Sequence, residues 1–314
     1  MGSVLSAKHF HDEEAAYAFI EARVWANGRV CPHCGVVERS GKLQGKSTRI
    51  GVYKCYACRK PFTVKVGTIF EDSHIKLHIW LQAIFLLCSS KKGISSNQLA
   101  RTLGVTLKSA WFLSHRIRHA MATDGGVFGA GGETVEMDET YYGRDNTAEL
   151  TAENPKRPHK DRRPKRAVVS LVQRDGVAKS FHVTGLNQEN MRNLITANVS
   201  KEARLLTDES RLYFGANNLV NLHETIKHTR GEYARGDVHT NTVEGYFSIF
   251  KRGMRGIYQQ CSEKHLHRYL AEFDFRYNNR MALNVNDTKR AENALKGVVG
   301  KRLTYQTVGK RPEA

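Results

Sequence analysis

Two cysteine pairs and three scattered carboxylates are the residues whose types and spacing could do chemistry. Cys31 and Cys34 form one Cys-x-x-Cys knuckle, Cys55 and Cys58 a second, and twenty residues lie between them. Four thiolates complete the tetrahedral shell of a zinc ion, and the two-residue spacer lets one tight turn present two sulfurs to the same metal. A closed four-sulfur shell leaves no position for substrate, so this zinc is expected to be structural. His33, inside the first knuckle, is not needed as a ligand. Cys88 and Cys261 stand apart. Clustered thiols of this kind fit a metal site in a reducing compartment better than a disulfide framework.

The carboxylates are Asp138, Asp208 and Glu244. Asp138 ends the strand-like run Thr-Val-Glu-Met-Asp, and Asp208 ends Ala-Arg-Leu-Leu-Thr-Asp. Glu244 opens a helical pattern after thirty-five intervening residues. Acids at two strand ends and one helix start can converge on Mg2+ or Mn2+, hard cations that take oxygen ligands. Two such ions suit phosphodiester chemistry, one activating the attacking oxygen and one stabilising the leaving oxygen. Glu136 and Glu139 are close rivals of Asp138. On an ideal strand Glu136 shares its face and Glu139 does not, so the pattern alone leaves the choice open. Around Glu244, the residues Val243, Phe247, Phe250 and Met254 make an apolar stripe at helical spacing. Asn241, Glu244, Ser248, Lys251 and Arg255 lie along an adjacent polar face, with Arg252 beside them.

Composition indicates what such a site would act on. The 314 residues hold 49 Lys and Arg against 31 Asp and Glu, a net charge of +18. Such an excess points to a polyanion, nucleic acid first. No stretch reaches the ~18 apolar residues of a membrane span. The best candidate, 75–88, is interrupted by Lys76, His78 and Gln82 and reads as a buried helix. The start lacks the features of a secretion signal. No membrane partner is expected, and the expected place is the cytoplasm, on the nucleoid when DNA is bound.

The rest of the chain must position these residues. A short helix is predicted over 9–26, then strand-like runs around the knuckles over 30–70. Apolar periodicity predicts helices over 75–88 and 97–103, and a third from Thr106 towards Met121. Ser95 or Ser96 caps the second and Gly104 breaks it. Residues 96–111 therefore read as a helix-turn-helix whose core is Leu99, Leu103, Val105 and Trp111. Thr106, Lys108 and Ser109 then face the major groove, and Arg116 and Arg118 lie nearer phosphate. Glycine pairs at 125–126 and 131–132 mark a boundary. Beyond it, strands are predicted near 133–141, 166–173, 179–184, 203–208 and 225–230. Helices are predicted near 188–199, 241–252 and 263–277, giving an α/β sheet with helices packed on it. Residues 281–314 read as a loosely packed basic tail. The segment 154–166 holds three of the six prolines. Its Lys160, Arg162, Arg163, Lys165 and Arg166 are expected to form a loop that orders on DNA backbone. Arg252 and Arg255 are further candidate DNA contacts.

Taken together, these motifs resemble the DDE transposases of bacterial insertion sequences, in the group with an N-terminal zinc ribbon. The matching stretches are Val135-Glu-Met-Asp138-Glu-Thr-Tyr-Tyr-Gly, Leu206-Thr-Asp208-Glu and His239-Thr-Asn241-Thr-Val-Glu244-Gly-Tyr-Phe-Ser-Ile-Phe-Lys251-Arg-Gly. The cysteine knuckles and Phe273-x-Phe-Arg-Tyr-Asn-Asn-Arg280 complete the set, which covers nearly all of the chain. The resemblance implies an α/β, ribonuclease-H-like catalytic domain over 125–280. A helix and zinc ribbon over 1–70 and a helix-turn-helix region over 71–124 precede it, and the basic tail over 281–314 follows. It assigns Asp138, Asp208 and Glu244 as the triad for two Mg2+ or Mn2+ ions, and it places Asn241 and Lys251 near the site. The implied partners are double-stranded DNA, as element ends and target, and a second copy of the chain or more in the synaptic complex. The expected activity is cleavage of the element ends and joining of their 3′-hydroxyls to target DNA. A DNA-binding regulator on an inactive scaffold, or a structure-specific nuclease of the same fold, are the alternatives.

Overall fold

The computed structural model describes residues 2–123, 125–143 and 165–303. They divide into two compact units, one from 2–123 with 284–303, the other from 125–143 with 165–283.

The first unit opens with helix α1 (Glu13–Val24), whose first turn is closed by the Asp12 carboxylate accepting from Ala15 N at 2.7 Å. Three short antiparallel strands follow in the order β1 (Ser40–Lys42), β2 (Tyr53–Cys55), β3 (Pro61–Phe62). Trp25 packs edge-on against Tyr53 and Phe62, with ring centroids 5.3 and 6.0 Å away. Helix α2 (Leu77–Ser89) buries Leu77, Trp80, Leu81, Ile84 and Leu87. It has no local cap. Instead the Glu13 carboxylate of α1 accepts from Leu77 N and His78 N at 2.8 and 3.2 Å, supplying the acceptor that a helix start requires. Helix α3 (Ser96–Leu103) is capped by Ser95. It ends at Gly104, whose φ of 65° is the left-handed conformation that glycine takes without steric cost. Helix α4 (Leu107–Met121) starts on a Thr106 cap. The bounds of α2, α3 and α4 agree closely with the predicted helices, whereas α1 is shorter than the predicted 9–26, because a 3-10 turn at Lys8–Phe10 and the Asp12 cap delay its start.

The second unit is a five-stranded sheet in the order β6-β5-β4-β7-β8. Strands β4 (Thr134–Tyr142), β5 (Arg166–Gln173) and β6 (Ala178–Val183) are antiparallel neighbours. Helix α5 (Gln188–Asn198) then leads to β7 (Arg204–Asp208) and β8 (Leu222–Ile226), which run parallel to β4. Strand β5 is buried along 167–172, as a central strand covered on both faces must be. One face packs Val135, Met137, Val169, Leu171 and Leu205 against Met191 and Ile195 of α5. The other packs Val168 and Val172 against helices α6 (Asn241–Gly253) and α7 (Glu263–Asn278) through Val243, Phe247, Phe250, Leu266 and Phe273. Three antiparallel strands followed by two parallel ones, with helices on both faces, make this a mixed α/β unit of ribonuclease-H-like topology. Helix α7 also closes the sheet edge, because Asn278 brackets Ala178 N and O and Asp274 accepts from Ser180 N.

Two further expectations change. The last strand lies at Leu222–Ile226 rather than near 225–230, where a short 3-10 turn takes over. The loosely packed tail contains an ordered helix, α8 (Asp287–Lys296), with Ala294 and Leu295 buried. Its Arg290 is also buried and donates to Cys88 O at 2.8 Å and to Asp287 Oδ1 at 2.6 Å.

Candidate active site and metal centres

Sheet register brings the acids together. Glu136 of β4 pairs with Leu206 of β7, and that is the last parallel pair between them. Two residues further along each strand stand Asp138 and Asp208, level with each other and on the same face. Beyond the pair, β4 continues against β5 and β7 against β8, so the strands part at their carboxyl ends. This is the crevice where open α/β sheets bind ligands. Helix α6 packs over the same face of β4 and carries Glu244 in its first turn.

The electrostatics agree with this proximity. Burial pushes the Asp138 carboxyl up to about 7, and the charges of Glu139, Asp208 and Glu244 add to the rise. The three carboxylates feel one another's field but do not form a group with ligand oxygens all within 4.8 Å, so a hard divalent cation would have to draw them closer. Asp138 Oδ1 accepts from Glu139 N at 2.8 Å and Asp208 Oδ1 from Ser210 N at 3.0 Å. Glu244 Oε1 accepts from Thr240 Oγ1 at 3.0 Å and stands 3.9 Å from His228 Nε2. Asn241 opens the exposed side of α6, and Lys251, further along, lies with Nζ 6.0 Å from the Phe247 ring centroid.

The rival acids have other partners. Glu136 is fully buried and accepts from Thr242 N at 2.7 Å, Val243 N at 3.0 Å, Thr242 Oγ1 at 2.8 Å and Arg174 Nε at 2.7 Å. Arg174 Nη2 also reaches His239 Nδ1 and His239 O, both at 3.0 Å. Glu139 points to the α5 face, where Tyr213 donates to it at 2.6 Å. Arg174 and Tyr213 were not visible as partners in the sequence, because each meets its acid only through the folded sheet.

The four cysteines do gather. Among the described residues, their sulfurs form the group whose ligand atoms all lie within 4.8 Å of one another. Cys31 Sγ to Cys58 Sγ is 3.7 Å, and Cys34 Sγ to Cys55 Sγ is 3.6 Å. A tetrahedron with zinc–sulfur bonds of ~2.3 Å has edges of about 3.8 Å, so the residues fit the ion.

The candidate DNA contacts divide. Lys108 is exposed at the start of α4, while Thr106 and Ser109 are bonded to each other as the helix cap. Arg116 and Arg118 do not face a groove, because both are buried. The Arg116 guanidinium donates to the carbonyls of Ile69 and Glu71 at 2.6 Å and of Leu303 at 3.1 Å. Arg118 donates to Ser114 Oγ at 3.2 Å. Helical spacing put these arginines on a basic helix, but α4 is surrounded on several sides and their charge goes inward. Arg166 is half-buried and bonded to Cys261 O at 2.5 Å. Lys165, Arg252 and Arg255 are exposed, and Arg252 bonds Ser248. Lys160, Arg162 and Arg163 lie outside the described residues.

No helix is long and apolar enough to cross a membrane among the described residues. Residues 130–278 match the ISXO2-like transposase domain, and residues 11–61 match the transposase zinc-ribbon domain. A protein in transposable element ISH50 of Halobacterium salinarum is 26% identical over 290 residues, covering 87% of this chain and 93% of that one. Among solved structures, a simian T-cell lymphotropic virus intasome aligns at 12% identity over 75% of this chain and 78% of its own, with a TM-score of 0.32. A pre-cleavage Mos1 transpososome aligns at 13% identity over 69% and 76%, with a TM-score of 0.28. With a zinc ribbon and a transposase domain matched in one chain, the protein belongs to the DDE transposases of insertion sequences that carry an N-terminal zinc ribbon.

Proposed function

We propose that this transposase cuts and joins DNA at the crevice between β4 and β7, with Asp138, Asp208 and Glu244 as its metal ligands. The observation that carries the reading is the level placement of Asp138 and Asp208 on strands that part beside the helix of Glu244. Two Mg2+ or Mn2+ ions held there would supply Lewis-acid activation of the attacking oxygen and charge stabilisation of the leaving oxygen. Burial first, and then the acidic neighbours, disfavour the ionised Asp138 carboxylate, and a bound cation would offset both.

The remaining groups act on DNA. Lys251 and Arg252 follow Glu244 along α6, Arg255 lies in the π-helical turn Met254–Tyr258 that continues it, and all three are suited to hold the phosphates flanking the scissile bond. Asn241 stands one turn ahead of Glu244 and can donate to a phosphate oxygen. The ribbon and the α3–α4 pair bind the element's terminal inverted repeats, with Lys108 as an exposed contact. Water attack then frees a 3′-hydroxyl at the element end. That hydroxyl attacks a target phosphorus in line, forming the new phosphodiester as the target strand's own 3′-oxygen leaves, and a synaptic complex of two or more copies holds both ends. Such a protein works on the nucleoid in the cytoplasm.

The test is end cleavage and strand transfer by purified zinc-loaded protein on terminal-repeat DNA with Mg2+. Asp138→Asn, Asp208→Asn and Glu244→Gln should each abolish both steps while leaving DNA binding intact. Undiminished joining by Asp208→Asn would sink the assignment. Cleavage without joining would instead favour a nuclease.

A further inference from the structure

Helix α6 begins without a side-chain cap of its own, since the Thr240 side chain bonds none of its amides. Its open amides are met from the sheet, where both oxygens of buried Glu136 accept from Thr242 N, Val243 N and Thr242 Oγ1. Arg174 occupies the remaining side of that carboxylate and extends to His239, just ahead of the helix. His239 Nδ1 also faces Asn241 N at 3.4 Å. The same nitrogen stands 3.4 Å from Glu136 Oε1, so His239 closes against the carboxylate as well as against Arg174.

We infer that Glu136, with Arg174 and His239, is a positioning clamp that fixes the spacing between Asp138 and Glu244. This rests on the assignment of those two acids as metal ligands. Glu136 lies two residues before Asp138 on the strand, a rise of about 6.7 Å. Thr242 lies two residues before Glu244 on the helix, a rise of about 3 Å. A tie this close to both ligands leaves little slack between them. The buried anion at the helix start is also favoured by the helix dipole. Every partner of Glu136 is a donor, so the site needs a group that only accepts. Glutamine has one accepting oxygen, and its amide would turn N–H groups toward N–H groups.

Two readouts on full-length, zinc-loaded protein test the clamp: amide exchange at Thr242 and Val243, and Mn2+ affinity from the free-ion paramagnetic resonance signal. Glu136→Gln should lose protection at both amides and weaken Mn2+ binding by roughly 10- to 100-fold, the usual effect of removing a partner that orients a ligand. Protection along β5 should remain. Thr242→Val removes only the hydroxyl bond and should weaken Mn2+ binding by about two- to ten-fold, the worth of one hydrogen bond. Should Glu136→Gln lose the β5 protection too, Thr242→Val decides, and wild-type affinity in it overturns the clamp. Lost amide protection with unchanged Mn2+ affinity, or unchanged protection in Glu136→Gln, overturns it as well. Asp138→Asn runs beside these variants. Wild-type Mn2+ affinity in that control would remove the ligand assignment itself, a failure distinct from that of the clamp.

Discussion

Arg116 separates two roles that a basic residue on α4 could have, and Arg116→Lys tells them apart because it keeps the charge. A phosphate contact would tolerate the change, since an ammonium neutralises a phosphate nearly as well. A buried fork would not. The guanidinium spans three carbonyls, those of Ile69, Glu71 and Leu303, and a single ammonium nitrogen cannot reach all three from the same stem. Hydrogen bonds from charged donors contribute about 1.5–3 kcal/mol each, and a buried acceptor left without a partner costs a similar amount. Losing one to two of the three bonds should therefore cost ~2–4 kcal/mol. For a unit of this size that corresponds to a fall of roughly 4–16 °C in the melting of the first unit. Calorimetry on the zinc-loaded protein reads the stability, and fluorescence anisotropy across a salt series reads the DNA interaction. The salt slope should match wild type in Arg116→Lys. In Lys108→Ala it should shrink by about 0.9, the share of a single neutralised phosphate, with melting unchanged. An Arg116→Lys protein that melts like wild type but shows a smaller salt slope would refute the reasoning.

Zinc removal by a chelator should unfold 30–70, because three strands of two or three residues around Tyr53 and Phe62 offer little core of their own. Structural zinc supplies ~10–16 kcal/mol to such modules, so circular dichroism or hydrogen exchange that shows an intact ribbon without metal would count against the site. Chelating Mg2+ should stop DNA cleavage and leave exchange in the ribbon untouched. Burial raises Asp274 to about 6, against the pull of hydrogen bonds from Tyr246 and Ser180. A carboxyl raised in the folded state contributes stability that is present below its unfolded pKa and lost as pH rises through 6. The loss is about 2 kcal/mol between pH 4 and 7. Asp274→Asn should flatten that part of a urea-midpoint profile against pH, and an unchanged slope would exclude Asp274 as its source.

Much of the second unit was legible because its burial follows simple periods. The apolar run Ala-Val-Val-Ser-Leu-Val reads as a strand, and Val243, Phe247, Phe250 and Met254 read as one face of a helix. Both patterns hold. Helix α8 was hidden because Arg290 stands where an apolar residue is expected. Its burial depends on the Cys88 carbonyl, two hundred residues away along the chain. The same blindness put Arg116 and Arg118 on a DNA face. Sequence reports that a side chain is charged. Whether the charge meets phosphate or a ring of carbonyls depends on what packs around the helix.

Glu136 shows the limit from the acidic side. It shares a strand face with Asp138, sits in the same motif and has the same chemistry, so no pattern of residue types separates the two. Position along the strand does. At Glu136 the strands β4 and β7 are still paired and α6 sits directly above, so the carboxylate is sealed and its lone pairs go to the helix start and to Arg174. At Asp138 that pairing has ended, and the carboxylate meets the crevice and the field of Asp208 and Glu244. On the proposed assignment, two residues of strand separate an acid that builds the site from an acid that faces it. Substituting either would silence the enzyme, so loss of activity alone cannot assign the roles. The amide protection of Thr242 and Val243 can, because it responds to Glu136 and is indifferent to Asp138.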